Sequence, residues 1–240
     1  MKVGNLAVFD FDWSLIEQDS DQWTIAKLSE DVLQKYMGKR KEVQWTDLVD
    51  QAICELQDNG ITLKQFEQVL GTIPFTPVMI ATLRALKEHG TRILILSDAN
   101  TFYIETILKA YDVHDLIDDV ITNPAYFDEK NRLRVNRRIL ASSPPHQCPR
   151  TCAVNICKGQ ELDTYIKAHG PFEKVMYVGD GKNDYCPGLY LREGDRMFVR
   201  SGKALARYLE DQQVVAAIKA KITYWDSSNV VAMAVDSELL

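Results

Sequence analysis

Leu6-Ala7-Val8-Phe9-Asp10-Phe11-Asp12 decides how the rest of the chain is read. A run of apolar residues that stops at two carboxylates, one residue apart, reads as a buried strand carrying side chains to its C-terminal end. In an open parallel sheet that end is where ligands bind. Two like charges buried so close together are costly unless a cation, a proton or a positive side chain shares the site. The pair therefore requires partners elsewhere in the chain.

Two further runs have the same form. Arg92-Ile93-Leu94-Ile95-Leu96 ends in Ser97-Asp98-Ala99-Asn100, and Val175-Met176-Tyr177-Val178 ends in Gly179-Asp180-Gly181-Lys182-Asn183-Asp184. Between them Lys158 stands in Ile156-Cys157-Lys158-Gly159, where it precedes or begins a helix through Leu162 and Ile166. A helix N-terminus already favours phosphate. An apolar strand ending in Asp-x-Asp is common, and Gly-Asp-Gly by itself is usually only a turn. The order of all four segments carries the information.

Asp10 and Asp12, then Ser97, then Lys158, then Asp180 and Asp184 resemble the four signature motifs of the haloacid dehalogenase-type phosphohydrolases, over most of the chain. The resemblance implies an α/β fold, a doubly wound parallel sheet (a Rossmannoid core) with a small all-helical cap inserted after the first motif. The alternation of strands and helices after residue 74 agrees with such a sheet. From residue 18 to 73 the pattern is helical throughout: Leu48, Ala52 and Leu56 share a face with Val49 and Ile53, and Leu63, Phe66 and Leu70 line another. The expected division is a core of 1–17 and 74–240 and a cap of 18–73. Ser20 or Asp21 starts the first cap helix, and Thr62 caps the last. Met197-Phe198-Val199 reads as the last core strand, and Ser227 or Ser228 caps a final helix.

The resemblance also assigns roles. Asp10 is the nucleophile and forms an aspartyl-phosphate; Asp12 is general acid and then general base, with its main-chain carbonyl on the metal. Ser97 binds phosphoryl oxygens, and Lys158 offsets charge between Asp10 and phosphate. The expected cofactor is Mg²⁺, an oxygen-seeking ion suited to a carboxylate-rich pocket, with Asp10, Asp12, Asp180 and Asp184 as its set. Asp184 orients Lys158 or a metal-bound water, or is simply an acid at a helix N-terminus. Phe9-Asp10-Phe11-Asp12, Ser97-Asp98-Ala99-Asn100, Asn155-Ile156-Cys157-Lys158 and Val178-Gly179-Asp180-Gly181 look like the phosphoethanolamine/phosphocholine phosphatases. Members of that family similar in sequence prefer pyridoxal phosphate or thiamine monophosphate. Trp13 and Ser14 depart from the family pattern, and Ser14 keeps a hydroxyl but loses a methyl, which loosens its packing.

The expected partner is thus a small phosphate monoester, with a preference for an amine head. Asp21 at the entrance to the cap and Asp98 beside Ser97 are the candidate substrate-binding acids, together with Asn100. Their alternative readings are a helix cap for Asp21 and a loop acid for Asp98. A phosphoserine phosphatase would want a cation in the cap, where Asp19 and Asp21 stand instead. A receiver-type signalling domain would need neither Asp12 nor the insertion.

The 240 residues, 46% apolar and 26% charged with a net charge of −6, describe an ordinary globular chain. An acidic balance gives no support for nucleic-acid binding, and Lys39-Arg40-Lys41 reads as a solvated turn. No run approaches the roughly 20 apolar residues of a membrane span. Met1 to Asn5 leads directly into the first strand without room for a leader, so the expected location is cytoplasmic. Among five cysteines, Cys148, Cys152 and Cys157 gather with His146 and could hold zinc. Their spacings differ from Cys-x2-Cys, and the expectation is reduced thiols. No nucleotide-binding phosphate loop occurs.

Overall fold

The computed structural model describes residues 4–150 and 152–238. Its centre is β1 (Leu6–Phe9), whose four residues are all buried. On one side β1 pairs with β2 (Arg92–Asn100) and β2 with β3 (Asp119–Asn123); on the other it pairs with β6 (Val175–Gly179), then β7 (Arg196–Arg200), then β8 (Lys221–Trp225). Every pairing in this six-stranded sheet is parallel. The order β3-β2-β1-β6-β7-β8 means that the chain builds outward in one direction and then returns to build in the other. The strand ends beside β1 are therefore the switch point where a crevice opens.

Two-residue alternation sorts the strand side chains onto two cores. Ala7, Phe9, Ile93, Ile95, Met176, Val178 and Phe198 face one apolar cluster, whereas Leu6, Val8, Leu94, Leu96, Val175, Tyr177 and Met197 face the other. The first is covered by α5 (Pro77–Glu88), α6 (Thr101–Ala110) and α11 (Ser228–Glu238), the second by α7 (Lys158–His169) and by α9 (Ala204–Tyr208). Thr76 caps α5 by accepting from the Met79 amide, and the chain leaves that helix through Gly90 at φ +73°. Short helices α8 (Tyr185–Gly188) and α10 (Gln212–Val215) complete the second face.

Between β1 and α5 lie only helices: α1 (Ser20–Leu28), α2 (Glu30–Met37), α3 (Trp45–Asp58) and α4 (Leu63–Leu70). Their buried stripe includes the expected Leu48, Val49, Ala52, Ile53, Leu56, Phe66 and Leu70 and merges with the first core cluster. Thr62 and Gln65 form a capping box at α4. The hairpin β4 (Ala125–Phe127) with β5 (Leu133–Val135) docks on α3. Arg134 makes a two-pronged ion pair with Asp50 at 2.9 and 2.7 Å, Arg137 pairs likewise with Asp47, and the Gln57 amide exchanges hydrogen bonds with the Leu133 backbone.

Two expectations need correction. The strand at Met197–Val199 is not the last, because β8 follows as the sheet edge. An edge strand is covered incompletely, so Lys221-Ile222-Thr223-Tyr224-Trp225 lacks the continuous apolar run that marks the central strands. Arg40 is not merely a solvated turn residue: its guanidinium lies 5.0 Å over the Trp45 ring. No helix of the described residues is long and apolar enough to cross a membrane.

Trp225 anchors the edge, being 1% exposed with the Arg200 guanidinium 4.9 Å over its ring. Trp225→Ala should lower stability by about 3 to 5 kcal/mol. The expected reading is a lower urea midpoint at an unchanged m value; a midpoint within error of the parent would show that β8 contributes little.

Candidate active site

Three strand ends and one helix start meet beside β1. Asp10 follows β1 directly and its amide continues the ladder, donating to the Val178 carbonyl at 2.9 Å. The chain then turns sharply: Asp12 is extended, and Trp13 takes a left-handed φ of 57°, a conformation costly for a bulky residue and common at functional turns. Arg200 donates to the Trp13 carbonyl at 2.6 Å, and Lys203 lies 3.1 Å over its ring. Ser14 is buried, its hydroxyl without a partner among the described residues.

Lys158, the first residue of α7, is 1% exposed. Its ammonium sits 2.7 Å from Asp10 Oδ1 and 2.8 Å from Asp184 Oδ1. Asp184 is fully buried and its remaining capacity is also used: Oδ1 accepts from Tyr177 at 2.6 Å, and Oδ2 from the amides of Asp180 and Gly181 at 3.0 and 2.9 Å. Asp184 does stand at a helix start, directly before α8, but it is bonded to Lys158 and to the Asp180 loop rather than solvated. Gly179 permits this approach, because a Cβ there would lie 2.6 Å from the Asp184 carboxyl carbon.

Negative charge exceeds positive charge around this triad. Burial pushes the Asp10 carboxyl well above the ordinary range, Asp184 raises it further, and Lys158 opposes them. Burial lowers Lys158, but the charges of Asp10, Asp184 and Asp98 outweigh it and hold the ammonium above its usual value. Burial and the charge of Asp184 push Asp180 up to about 7. The excess calls for another cation. Carboxylate oxygens of Asp10, Asp180 and Asp184 lie within 4.8 Å of one another; with Asp184 already engaged by Lys158, Tyr177 and two amides, Asp10 and Asp180 are the hard oxygen donors left to an ion such as Mg²⁺.

A second acidic group faces the first from the helical segment. Asp12 Oδ1 accepts from the Ser20 amide at 2.9 Å, and burial followed by the charges of Asp19 and Asp21 pushes it well above the ordinary range. Asp19, not Asp21, caps α1 through the Gln22 amide. Asp21 is 4% exposed; its Oδ2 accepts from the Trp45 indole at 3.0 Å, and its Oδ1 has no partner among the described residues. Burial, then Asp19, raises Asp21 as well. Asp98 accepts from the Asn183 side chain at 3.3 Å rather than from a loop amide. Its charge is felt at Asp10 and Asp180 on one side and at Asp19 and Asp21 on the other.

Ser97 is fully buried, and its Oγ accepts from the Ala99 amide at 3.1 Å, within the irregular C-terminal end of β2. Asn100 Oδ1 caps α6 through the Tyr103 amide, leaving Nδ2 buried without a partner among the described residues. Sequence reading missed Asn123, whose amide donates to the Asp98 and Ala99 carbonyls at 2.6 and 2.9 Å and holds the end of β2. It also missed Tyr177, Asn183, Trp45 and Lys203. The signal at Tyr177 was a hydroxyl inside an otherwise apolar strand.

Residues 5–237 match the family model described as Putative Phosphatase. The chain belongs to this family of haloacid dehalogenase-type phosphatases. Among its relatives in this family, the thiamine phosphate phosphatase-like protein of Arabidopsis thaliana is 32% identical over 225 residues, covering 92% of this chain and 89% of the relative. The pyridoxal phosphate phosphatase PHOSPHO2 of Rattus norvegicus is 33% identical over 235 residues, covering 95% and 94%. A solved substrate-bound phosphoserine phosphatase complex superposes with a TM-score of 0.63 at 14% identity, covering 99% of both chains, which shows the shared fold. The phosphatase of this chain is accordingly a phosphoric monoester hydrolase acting on small phosphate substrates.

Lys158→Met should destabilise the protein by about 3 to 5 kcal/mol near pH 8, because Asp10 and Asp184 remain buried without their cation. Without Lys158 the Asp10 carboxyl rises further above its unfolded value. The folded state then holds a proton that the unfolded chain has released, so stability recovers as pH falls toward 5. Thermal melts across that range check it; a loss independent of pH would show that the triad's charge is not the cause.

Proposed function

We propose that the chain is a Mg²⁺-dependent phosphomonoesterase that works through an aspartyl-phosphate on Asp10 and prefers a small substrate with a cationic amine head. The observation that carries the chemistry is the buried ammonium of Lys158 on Asp10 Oδ1. With Oδ1 also held by the Phe11 amide at 2.7 Å, Oδ2 is the oxygen that attacks phosphorus. Asp10 and Asp180 would hold Mg²⁺ by their side chains and Asp12 by its main-chain carbonyl, with Asp184 beside them. The ion would supply charge neutralisation for a dianionic phosphate and keep Asp10 ionised.

As Asp10 Oδ2 bonds to phosphorus, the ester P–O bond breaks and the leaving oxygen takes the proton of Asp12. Burial and the charges of Asp19 and Asp21 raise the Asp12 carboxyl, which favours its carrying that proton. The resulting Asp12 carboxylate then removes a proton from water attacking phosphorus, which releases phosphate and regenerates Asp10. The Ser97 hydroxyl and nearby amides bind the phosphoryl oxygens. The helices from 18 to 73 serve as the cap that covers the site and excludes water, and 1–17 with 74–240 serve as the core.

Head-group preference is supported by the buried Asp21 carboxylate, whose Oδ1 lacks a partner among the described residues, and by its coupling to Asp19 and Asp98. An ethanolamine or choline head fits such a wall. The cationic ring of thiamine monophosphate fits it too, in keeping with the name of the Arabidopsis relative; pyridoxal phosphate follows. A substrate carboxylate, as in phosphoserine, would meet repulsion here.

Asp10→Asn should reduce kcat by about a thousandfold or more with the melting temperature retained, since an amide is a far poorer nucleophile. Brief treatment with EDTA should stop turnover and added Mg²⁺ restore it. Substantial activity in the variant excludes Asp10 as nucleophile, and indifference to EDTA excludes the metal.

For selectivity, kcat/KM of Asp21→Asn and Asp98→Asn is compared on phosphoethanolamine and on propyl phosphate. A loss of about tenfold to a hundredfold confined to the amine is expected. Equal losses on both substrates would sink the acidic-wall reading.

A further inference from the structure

Away from the phosphate chemistry the fold assembles a second cluster of ligating atoms. Cys148, Cys152 and Cys157 are joined by Cys186, which follows Asp184 on the other side of the motif. Cys148 Sγ lies 3.6 Å from Cys152 and 3.7 Å from Cys186, and Cys157 Sγ lies 3.7 Å from each of the same two. All four sulfurs are within 4.8 Å of one another. A zinc–thiolate bond of about 2.3 Å gives a regular tetrahedron an S···S edge of about 3.8 Å. Each sulfur therefore has neighbours at the tetrahedral spacing on two sides, a closed square of contacts rather than two pairs.

We propose that Cys148, Cys152, Cys157 and Cys186 form a structural zinc site that fixes the catalytic Lys158 and Asp184 relative to each other. Cys157 immediately precedes Lys158, and Cys186 stands two residues after Asp184, so the metal closes the back of the same ion pair. Four sulfur donors leave no open position for catalysis and select a soft tetrahedral ion over Mg²⁺. Zinc enters as the four thiols release their protons to solvent.

The surroundings are built for the purpose. A Cβ at Gly159 would fall 2.5 Å from Cys186 Sγ, so glycine is the residue that lets α7 approach the cluster. The Gln160 amide donates to Cys157, and the Arg150 side chain donates to Cys148, donors that temper the charge of a tetrathiolate. His146, the sequence candidate for a fourth ligand, contacts the Ala153 carbonyl instead. The segment between Val135 and Lys158 has no helix or strand among its described residues. A connection of that length in a compact domain needs tying down, and a metal supplies the tie. Cys54 stands apart on α3 and is not part of the set.

The test is the metal content of the full chain, expressed in zinc-supplemented medium and purified in reducing buffer. One zinc per chain is expected by elemental analysis, retained through the brief EDTA treatment that removes Mg²⁺ and released by a mercurial titrant. Protein reconstituted with Co²⁺ should show the visible absorption of tetrahedral cobalt thiolate. Cys148→Ser and Cys186→Ser should lose the metal and melt earlier, whereas Cys54→Ser keeps both. Substoichiometric zinc in the parent protein, iron in its place, a disulfide between any two of the four, or loss of zinc from Cys54→Ser would overturn the site. Because the reading is metal content, the outcome is independent of the phosphatase assays.

Discussion

The ammonium of Lys158, shared between Asp10 and Asp184 out of contact with solvent, is the interaction on which the rest of the site depends. Removing these groups from water costs several kcal/mol each unless geometry and further hydrogen bonds return it. The fold returns it through Tyr177 and the amides of Asp180 and Gly181, which complete the shell of Asp184. The Asp10 carboxyl is thereby held in one position at the end of β1. That position is set by a strand end, a helix start and a fully bonded acid.

The sheet order explains why these groups converge. β1, β2 and β6 are neighbours, and the direction of winding reverses around β1. The strand ends beside β1 consequently form the switch point of the sheet, the place where open parallel sheets bind ligands. Side-chain amides hold the segments around it: Asn123 fixes the C-terminal end of β2, and Asn183 ties Asp98 to the loop after β6. Arg200 and Lys203 support the left-handed Trp13 from the other side. The strain at Trp13 is thus located where Asp12 must turn away from Asp10.

The helical segment contributes charge to the site. Asp19 and Asp21 raise Asp12, and Asp98 links that acidic group electrostatically to Asp10 and Asp180. The same segment is strapped to the β4–β5 hairpin by Arg134 with Asp50 and Arg137 with Asp47. Two-pronged, partly buried pairs of this kind constrain orientation more than they add stability. Asp12, Asp19, Asp21 and Asp98 therefore form one electrostatically connected set of carboxylates.

The sequence by itself determined the three strands that end in acids, the helical nature of 18–73, the cap at Thr62 and the place of Lys158 at a helix start. These features are local: hydrophobic period, capping residues and turn chemistry act within a few positions and do not depend on what the chain later meets. Tertiary structure alone decided the rest. Trp45 came to Asp21 across 24 positions, and Cys186 came to Cys148 across 38. β8 escaped notice because an edge strand is half covered and carries a diluted pattern. Burial of Lys158 and the excess of negative charge around it depend on which groups share a low-dielectric volume, a property of distance in space that spacing in sequence does not encode.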